Sequence, residues 1–155
     1  MKAISTIIIS LSILSAFMLS LTASEQLQSL SAYDLTNGVI WYKLMHGLAI
    51  IFLASNHDKN KYNLAIAIGM LLILSFDMHH YLVIHNTVTA LTLILAIFSL
   101  VSVITGFRLM QMIFIGACSI TVFCIGYFNH ASWFWLTEIL AMMFIMNGKL
   151  IEVYK

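Results

Sequence analysis

The chain has 155 residues, of which 62% are hydrophobic and 8% charged, with a formal net charge of +1. Soluble domains carry about 25% charged residues, so this composition excludes an ordinary soluble domain and indicates an integral membrane protein. The balance of charge also excludes a basic surface for nucleic acid, because there is no excess of lysine and arginine to neutralise phosphates.

The apolar runs predict α-helices. Strands of a membrane barrel alternate apolar and polar residues over about ten positions, whereas the run NLAIAIGMLLILSF at 63–76 is continuously apolar from residue 64 to residue 74. A helix satisfies its own backbone hydrogen bonds in lipid. The sequence therefore predicts an all-α, polytopic membrane protein, a single transmembrane domain over residues 1–155 with about six transmembrane helices.

The first predicted helix covers about Ala3–Ala23. It is longer than the apolar region of a signal peptide, about 7–15 residues, so we expect it to be retained rather than cleaved. Residues 24–38 follow as an outer loop without lysine or arginine, either irregular or containing a short interfacial helix. The second helix is predicted at about Val39–Ser55.

The third helix begins at about Asn63, and two ends are open for it. It either continues through the stretch FDMHHYLVIHN to about Ile84, or ends at Phe76 and leaves the histidines in a wetted outer loop. Ala65 and Gly69 have the four-residue spacing of small residues that lets helices approach closely. The remaining predicted helices are about Thr87–Thr105, Leu109–Phe128 and Trp133–Met146.

The positive charges predict the orientation of these helices, because cytoplasmic ends of membrane helices are enriched in lysine and arginine. With the N-terminus inside, only Lys43 falls on the outer half. The inner ends then carry Lys2, Lys59, Lys61, Arg108, Lys149 and Lys155. We therefore expect a multi-pass protein of a cell membrane, with the bacterial inner membrane favoured, and both termini in the cytoplasm.

Several ionisable residues gather at the predicted outer end. His46 lies about 10 Å into the second helix and Glu138 about 8 Å into the sixth. If the third helix continues, Asp77 and His80 share one of its faces. The sequence thus predicts an outward-facing pocket of His46, Asp77, His80 and Glu138 that binds a metal or a proton. Residues of second rank are His79, His85, His130 and Lys43.

Such nitrogen and oxygen donors suit a transition metal such as zinc, iron or copper. Two histidines from different helices are also suited to haem, and histidine beside a carboxylate is suited to proton binding. The leading hypothesis is a membrane enzyme or a subunit of one. The alternative is an accessory protein that docks its helices onto a partner complex, with either a homo-oligomer or a larger membrane complex as its assembly. A transporter or channel is less favoured, because Gln111 is the main polar candidate in the inner half.

Overall fold

The computed structural model describes residues 2–22, 39–76, 80–103, 145–146 and 148–154. Four helices are complete within these ranges: α1 (Lys2–Thr22), α2 (Val39–Ser55), α3 (Asn63–Ser75) and α4 (Leu82–Val103). Residues 145–146 and 148–154 are also helical and are named here the C-terminal segment. The described residues contain no strand, and the all-α prediction is confirmed for this part of the chain.

Consecutive helices pack against each other, α1 on α2, α2 on α3 and α3 on α4. The α2–α3 connection (56–62) lies beside the start of α1, since the Ser5 hydroxyl is 3.4 Å from the Asn56 side-chain oxygen. The last residues lie there too, because Lys2 Nζ donates to the Tyr154 carbonyl at 3.5 Å. We call this the termini end, and the end that holds residues 76–81 the opposite end.

An apolar core joins the helices and includes the C-terminal segment. Its buried members are Ile9 of α1, residues Ala49, Phe52 and Leu53 of α2, residues Ile66, Ala67 and Met70 of α3, Ala96 of α4, and Met146 and Val153 of the C-terminal segment. Because Met146 and Val153 are buried in this cluster, the C-terminal segment is part of the bundle.

The outer surface of the bundle is unusually apolar. On α1, Ser5, Ser12 and Ser15 are buried, whereas Ile7 and Leu14 are more than half exposed. A surface helix of a soluble protein has the reverse arrangement, with its apolar stripe facing the core. On α4, Phe98 is likewise 63% exposed. On these helices, several serines are therefore buried while large hydrocarbon side chains are exposed.

Among the described residues, one helix is long and apolar enough to cross a membrane, the 21-residue stretch Leu82–Ser102 of α4. The other apolar helical stretches are shorter: Lys2–Ala16, Val39–Ser55 and Asn63–Ser75. The lengths of the described helices therefore support one membrane span and do not support the predicted six. The predicted outer loop 24–38, the fifth helix and nearly all of the sixth lie outside the described residues.

The boundary between α3 and α4 differs from the favoured prediction. The continuation of the third helix to Ile84 is wrong, since α3 ends at Ser75 and Phe76 is extended, with φ −103° and ψ 93°. The ring of Phe76 packs edge-on against Tyr81 at 5.6 Å between centroids. The fourth helix also begins earlier than the predicted Thr87, at Leu82. The helix α3 thus ends where the chain turns into contacts between Phe76 and Tyr81, although residues 76–81 contain no helix-breaking proline or glycine.

Candidate functional site

His46 is buried on the inner face of α2 at 8% exposure. Its Nδ1 lies 3.0 Å from the Tyr42 carbonyl oxygen, and the two rings are 4.4 Å apart. A carbonyl oxygen only accepts, so Nδ1 carries the proton in this bond and the lone pair of the neutral ring is on Nε2. Histidines that ligate metals are commonly held by such a bond from their other nitrogen.

His85 has the same chemistry in a different place. It lies in the first turn of α4, is 4% exposed, and donates from Nδ1 to the Phe76 carbonyl at 2.7 Å. This bond closes the connection between α3 and α4 at the opposite end of the bundle. Sequence reasoning placed His85 in the second rank, yet His85 is more deeply buried than His46, at 4% against 8% exposure.

His80 does not have the predicted position. It is exposed in the connection, with its ring centroid 6.4 Å from that of Tyr81. The expectation that Asp77 and His80 share a helix face is wrong, because α3 ends before either residue. Lys43 is exposed on α2. The predicted site residues Asp77, His79, His130 and Glu138 lie outside the described residues.

The described residues therefore contain only part of the predicted outward pocket. Within 2–22, 39–76, 80–103 and the C-terminal segment, no group of three or more His, Cys, Asp and Glu side chains is arranged to hold a metal ion. His46 and His85 are the buried imidazoles of this part of the chain. A metal site with three or more such ligands would therefore need at least one donor from outside these ranges.

A buried polar cluster at the termini end was not predicted. Lys149 Nζ donates to Glu152 Oε1 at 2.9 Å and also to the Ser99 hydroxyl. Asn60 Nδ2 donates to Glu152 Oε1 at 3.1 Å and to the Ser99 carbonyl at 3.2 Å. The α2–α3 connection, α4 and the C-terminal segment meet here, and all four residues are at most 6% exposed. We call these four residues the ion-pair cluster.

Asparagines extend this polar region toward α1. Asn56 Nδ2 donates to the Phe52 carbonyl at 2.8 Å and lies 3.3 Å from the Ser5 hydroxyl. Asn63 Nδ2 donates to the Asn56 carbonyl at 2.8 Å. The buried asparagines of this region thus donate to main-chain carbonyls at the end of α2 and the start of the connection, as buried polar groups require.

The electrostatics of the ion-pair cluster are dominated by burial. Burial lowers the pKa of Lys149, while the hydrogen bond and the charge of Glu152 raise it and only partly compensate. This lysine lies beyond Met146, where the last predicted span ends. Two buried acceptors, Glu152 Oε2 and Asn63 Oδ1, have no hydrogen-bond partner among the described residues. A buried carboxylate oxygen without a donor carries a desolvation cost.

A signal for the cluster does exist in the sequence. Asn56, Asn60 and Asn63 recur at four- and three-residue spacing, and Lys149 and Glu152 are three apart, which puts them on one helix face. In the charge pattern that predicts the orientation of the helices, Lys149 is only one of the positive charges on the inner side. Its burial depends on Ser99 and Asn60, which are distant in the chain, and no local pattern indicates such contacts.

Comparison with protein-family models, curated proteins and solved structures gave no match for this chain. The chemistry of the two ends is therefore the basis for a function.

Proposed function

We propose that this chain is a small multi-pass membrane protein, with about six helices crossing a cell membrane and both termini in the cytoplasm. The supporting observation is the distribution of side chains along the helices: three serines of α1 are buried, whereas large hydrocarbon side chains of α1 and α4 are exposed. Leu91, Ile94 and Phe98 of α4 are 56%, 49% and 63% exposed. Soluble monomers rarely expose contiguous apolar patches of more than a few hundred Å².

The helix lengths fit this proposal unevenly. The 22 residues of α4 extend about 33 Å, and a bilayer core is about 30 Å thick. The 13 residues of α3 extend only about 20 Å. An end of α3 would then lie within the bilayer, where irregular backbone must be satisfied by protein. The bonds of Asn56 and Asn63 to backbone carbonyls are of this kind.

We further propose that the opposite end of the bundle binds a transition metal, haem or a proton, as a membrane enzyme or a subunit of one. His46 would contribute Nε2, and Asp77, His80 and Glu138 would complete the pocket. Support comes from the burial of His46 and from its Nδ1 bond to Tyr42, which orients the ring as in many ligating or proton-exchanging histidines. His85 is a further candidate on the same grounds.

The test is metal analysis and an absorption spectrum of the full-length protein purified in detergent. We expect a stoichiometric metal or a Soret band that His46→Ala removes. His57→Ala is the matched control, because His57 also donates from Nδ1 to a carbonyl, at 2.9 Å, but is exposed at the termini end. If the ligand is a proton, a pH-dependent change in tryptophan fluorescence should disappear in His46→Ala.

A protein with neither metal, band nor pH response would contradict the pocket. Co-purification of a larger complex, with alanine at His46, Asp77 and Glu138 leaving it intact, would instead favour the accessory role.

A further inference from the structure

The C-terminal segment is anchored to the bundle through a pair of charges. The side chains of Lys149 and Glu152 are 0% and 1% exposed, and Lys149 Nζ lies 2.9 Å from Glu152 Oε1. Removing both charges from water carries a desolvation cost that their mutual attraction alone does not repay, so such a pair needs further hydrogen bonds. Ser99 and Asn60 supply some of them.

These hydrogen bonds satisfy the pair incompletely. Glu152 Oε1 accepts from both Lys149 and Asn60. Glu152 Oε2 is buried and accepts from no described residue. The protein therefore solvates the charged pair less well than water would. A group in such surroundings binds a proton with different affinity in the docked and undocked states.

We propose that the Lys149–Glu152 pair is a proton-binding site, separate from the outward pocket, and that one proton on Lys149 controls how tightly residues 148–154 dock on the bundle. The step is an acid dissociation. An N–H bond of the ammonium breaks, the proton passes to water and the electron pair stays on Nζ. The neutral amine then accepts a hydrogen bond from the Ser99 hydroxyl, and Glu152 keeps Asn60 as its donor.

The direction of the pH effect follows from the environment of the lysine. In the docked state, burial lowers the pKa of Lys149 from 10.5, and Glu152 only partly opposes this. An undocked lysine in water keeps its ordinary pKa and binds the proton more tightly. Docking therefore strengthens as the pH rises toward 10.5 and weakens as it falls, until it levels off below the lowered pKa.

The other charged groups near this end are placed differently. Among the described residues, Lys2 of α1 is exposed and contacts the Tyr154 carbonyl, and α4 presents the uncharged Ser99. The connection presents Asn60 to the pair, and its ionisable side chains His57, Asp58, Lys59 and Lys61 are exposed. Glu152 is thus the charged side chain that contacts Lys149, and we expect one lysine to account for the linkage.

Docking can be measured by alkylation of a buried reporter. Val153 is 4% exposed, so Val153→Cys reacts with iodoacetamide only when the segment undocks. The full-length protein in detergent carries alanine at Cys118 and Cys124. Thiolate formation also depends on pH. The alkylation rate of Val153→Cys is therefore divided by that of Lys59→Cys, an exposed position, which removes this dependence. The ratio should fall as the pH rises toward 10.5, by at most about tenfold per pH unit for one proton.

The assignment to Lys149 is tested by substitution in the reporter protein. Lys149→Met should abolish the slope, whereas Lys61→Met, an exposed lysine of the same end, should retain it. Lys149→Met with Glu152→Gln leaves no buried charge and keeps the assay interpretable if the single variant misfolds. The proposal would be overturned by an alkylation-rate ratio that does not change with pH when Lys149 and Glu152 are both present. It would also be overturned by a pH dependence that persists in the Lys149 variants.

Discussion

Three histidines make the same hydrogen bond, and their surroundings distinguish them. His46, His57 and His85 each donate from Nδ1 to a main-chain carbonyl, at 3.0, 2.9 and 2.7 Å. His57 is exposed, so water can replace its bond with little change in free energy. His46 and His85 are buried, and removing either ring leaves a carbonyl without that donor in the protein interior.

We therefore expect His85→Ala to destabilise the protein by about 1–3 kcal/mol, because the Phe76 carbonyl loses its donor and a buried ring is deleted. His57→Ala should change stability by less than about 0.5 kcal/mol, as exposed positions usually do. Chemical unfolding of both variants in the same detergent measures the difference. Equal stability of the two variants would show that the His85 bond does not hold the α3–α4 connection.

The position of a residue could be predicted where the helix register was right. His46 was expected inside the second helix and is buried on α2. The position of His80 was mispredicted because α3 ends at Ser75, where the sequence has no proline or glycine, and Phe76 instead contacts Tyr81 and His85. The burial of Lys149 was missed for a similar reason, since Ser99 is 50 residues away in the chain.

At the scale of elements, α3 and α4 are held close by one glycine. A Cβ on Gly69 would lie 2.2 Å from Thr92 Oγ1 and 3.1 Å from both Thr92 Cβ and Cγ2. Rotation of the threonine can move its oxygen but not its Cβ. The small-residue spacing predicted a close approach at Ala65 and Gly69, and only Gly69 makes it, because Ala65 is exposed.

Gly69→Ala should destabilise the α3–α4 pair by about 1–3 kcal/mol, as overpacking does, despite the better helix propensity of alanine. Gly47→Ala is the matched control on α2, where an added Cβ meets nothing within 4 Å. It should be neutral or stabilising by up to about 1 kcal/mol. Unfolding measurements on both variants make the comparison, and a tolerated Gly69→Ala would mean that the helices separate at little cost.

Helix positions were more predictable than their ends. Val39–Ser55 was predicted and observed for α2, since the turn residues Asn37 and Gly38 precede a largely apolar run. The first helix, predicted at Ala3–Ala23, is observed at Lys2–Thr22. The start of α4 was misplaced because Asn86 and Thr87 resemble capping residues, whereas the His85 N–H bonds to the Tyr81 carbonyl and extends the helix toward its N-terminus.

For the whole molecule, the described part has ionisable groups at both ends and hydrocarbon between them. His46 and His85 lie toward the opposite end, and the ion-pair cluster lies at the termini end. Between them, Phe52, Ile66 and Met70 are core residues. Transport was disfavoured because the inner half lacked polar candidates. The ion-pair cluster removes that objection, and the mostly apolar interior between the ends also contains the buried, uncharged Ser12 and Thr92.

The proposed multi-pass arrangement predicts which residues face each side of the membrane. In a protein with alanine at Cys118 and Cys124, Lys59→Cys and Tyr81→Cys introduce exposed thiols at the termini end and the opposite end. A membrane-impermeant thiol reagent should label Tyr81→Cys in intact cells and Lys59→Cys only in inverted membranes, because α3 lies between them. Ile94→Cys, on the apolar face of α4, should label from neither side.

Labelling of both loop positions from one side would contradict a membrane crossing by α3 and would reduce the proposal to α4. Opposite labelling with Lys59→Cys reacting in intact cells would keep the crossings but invert the orientation. The cytoplasmic assignment depends on Lys2, Lys59 and Lys61, which are exposed at the termini end. Lys149 does not contribute to that argument as a surface charge, because it is buried against Glu152 and Ser99.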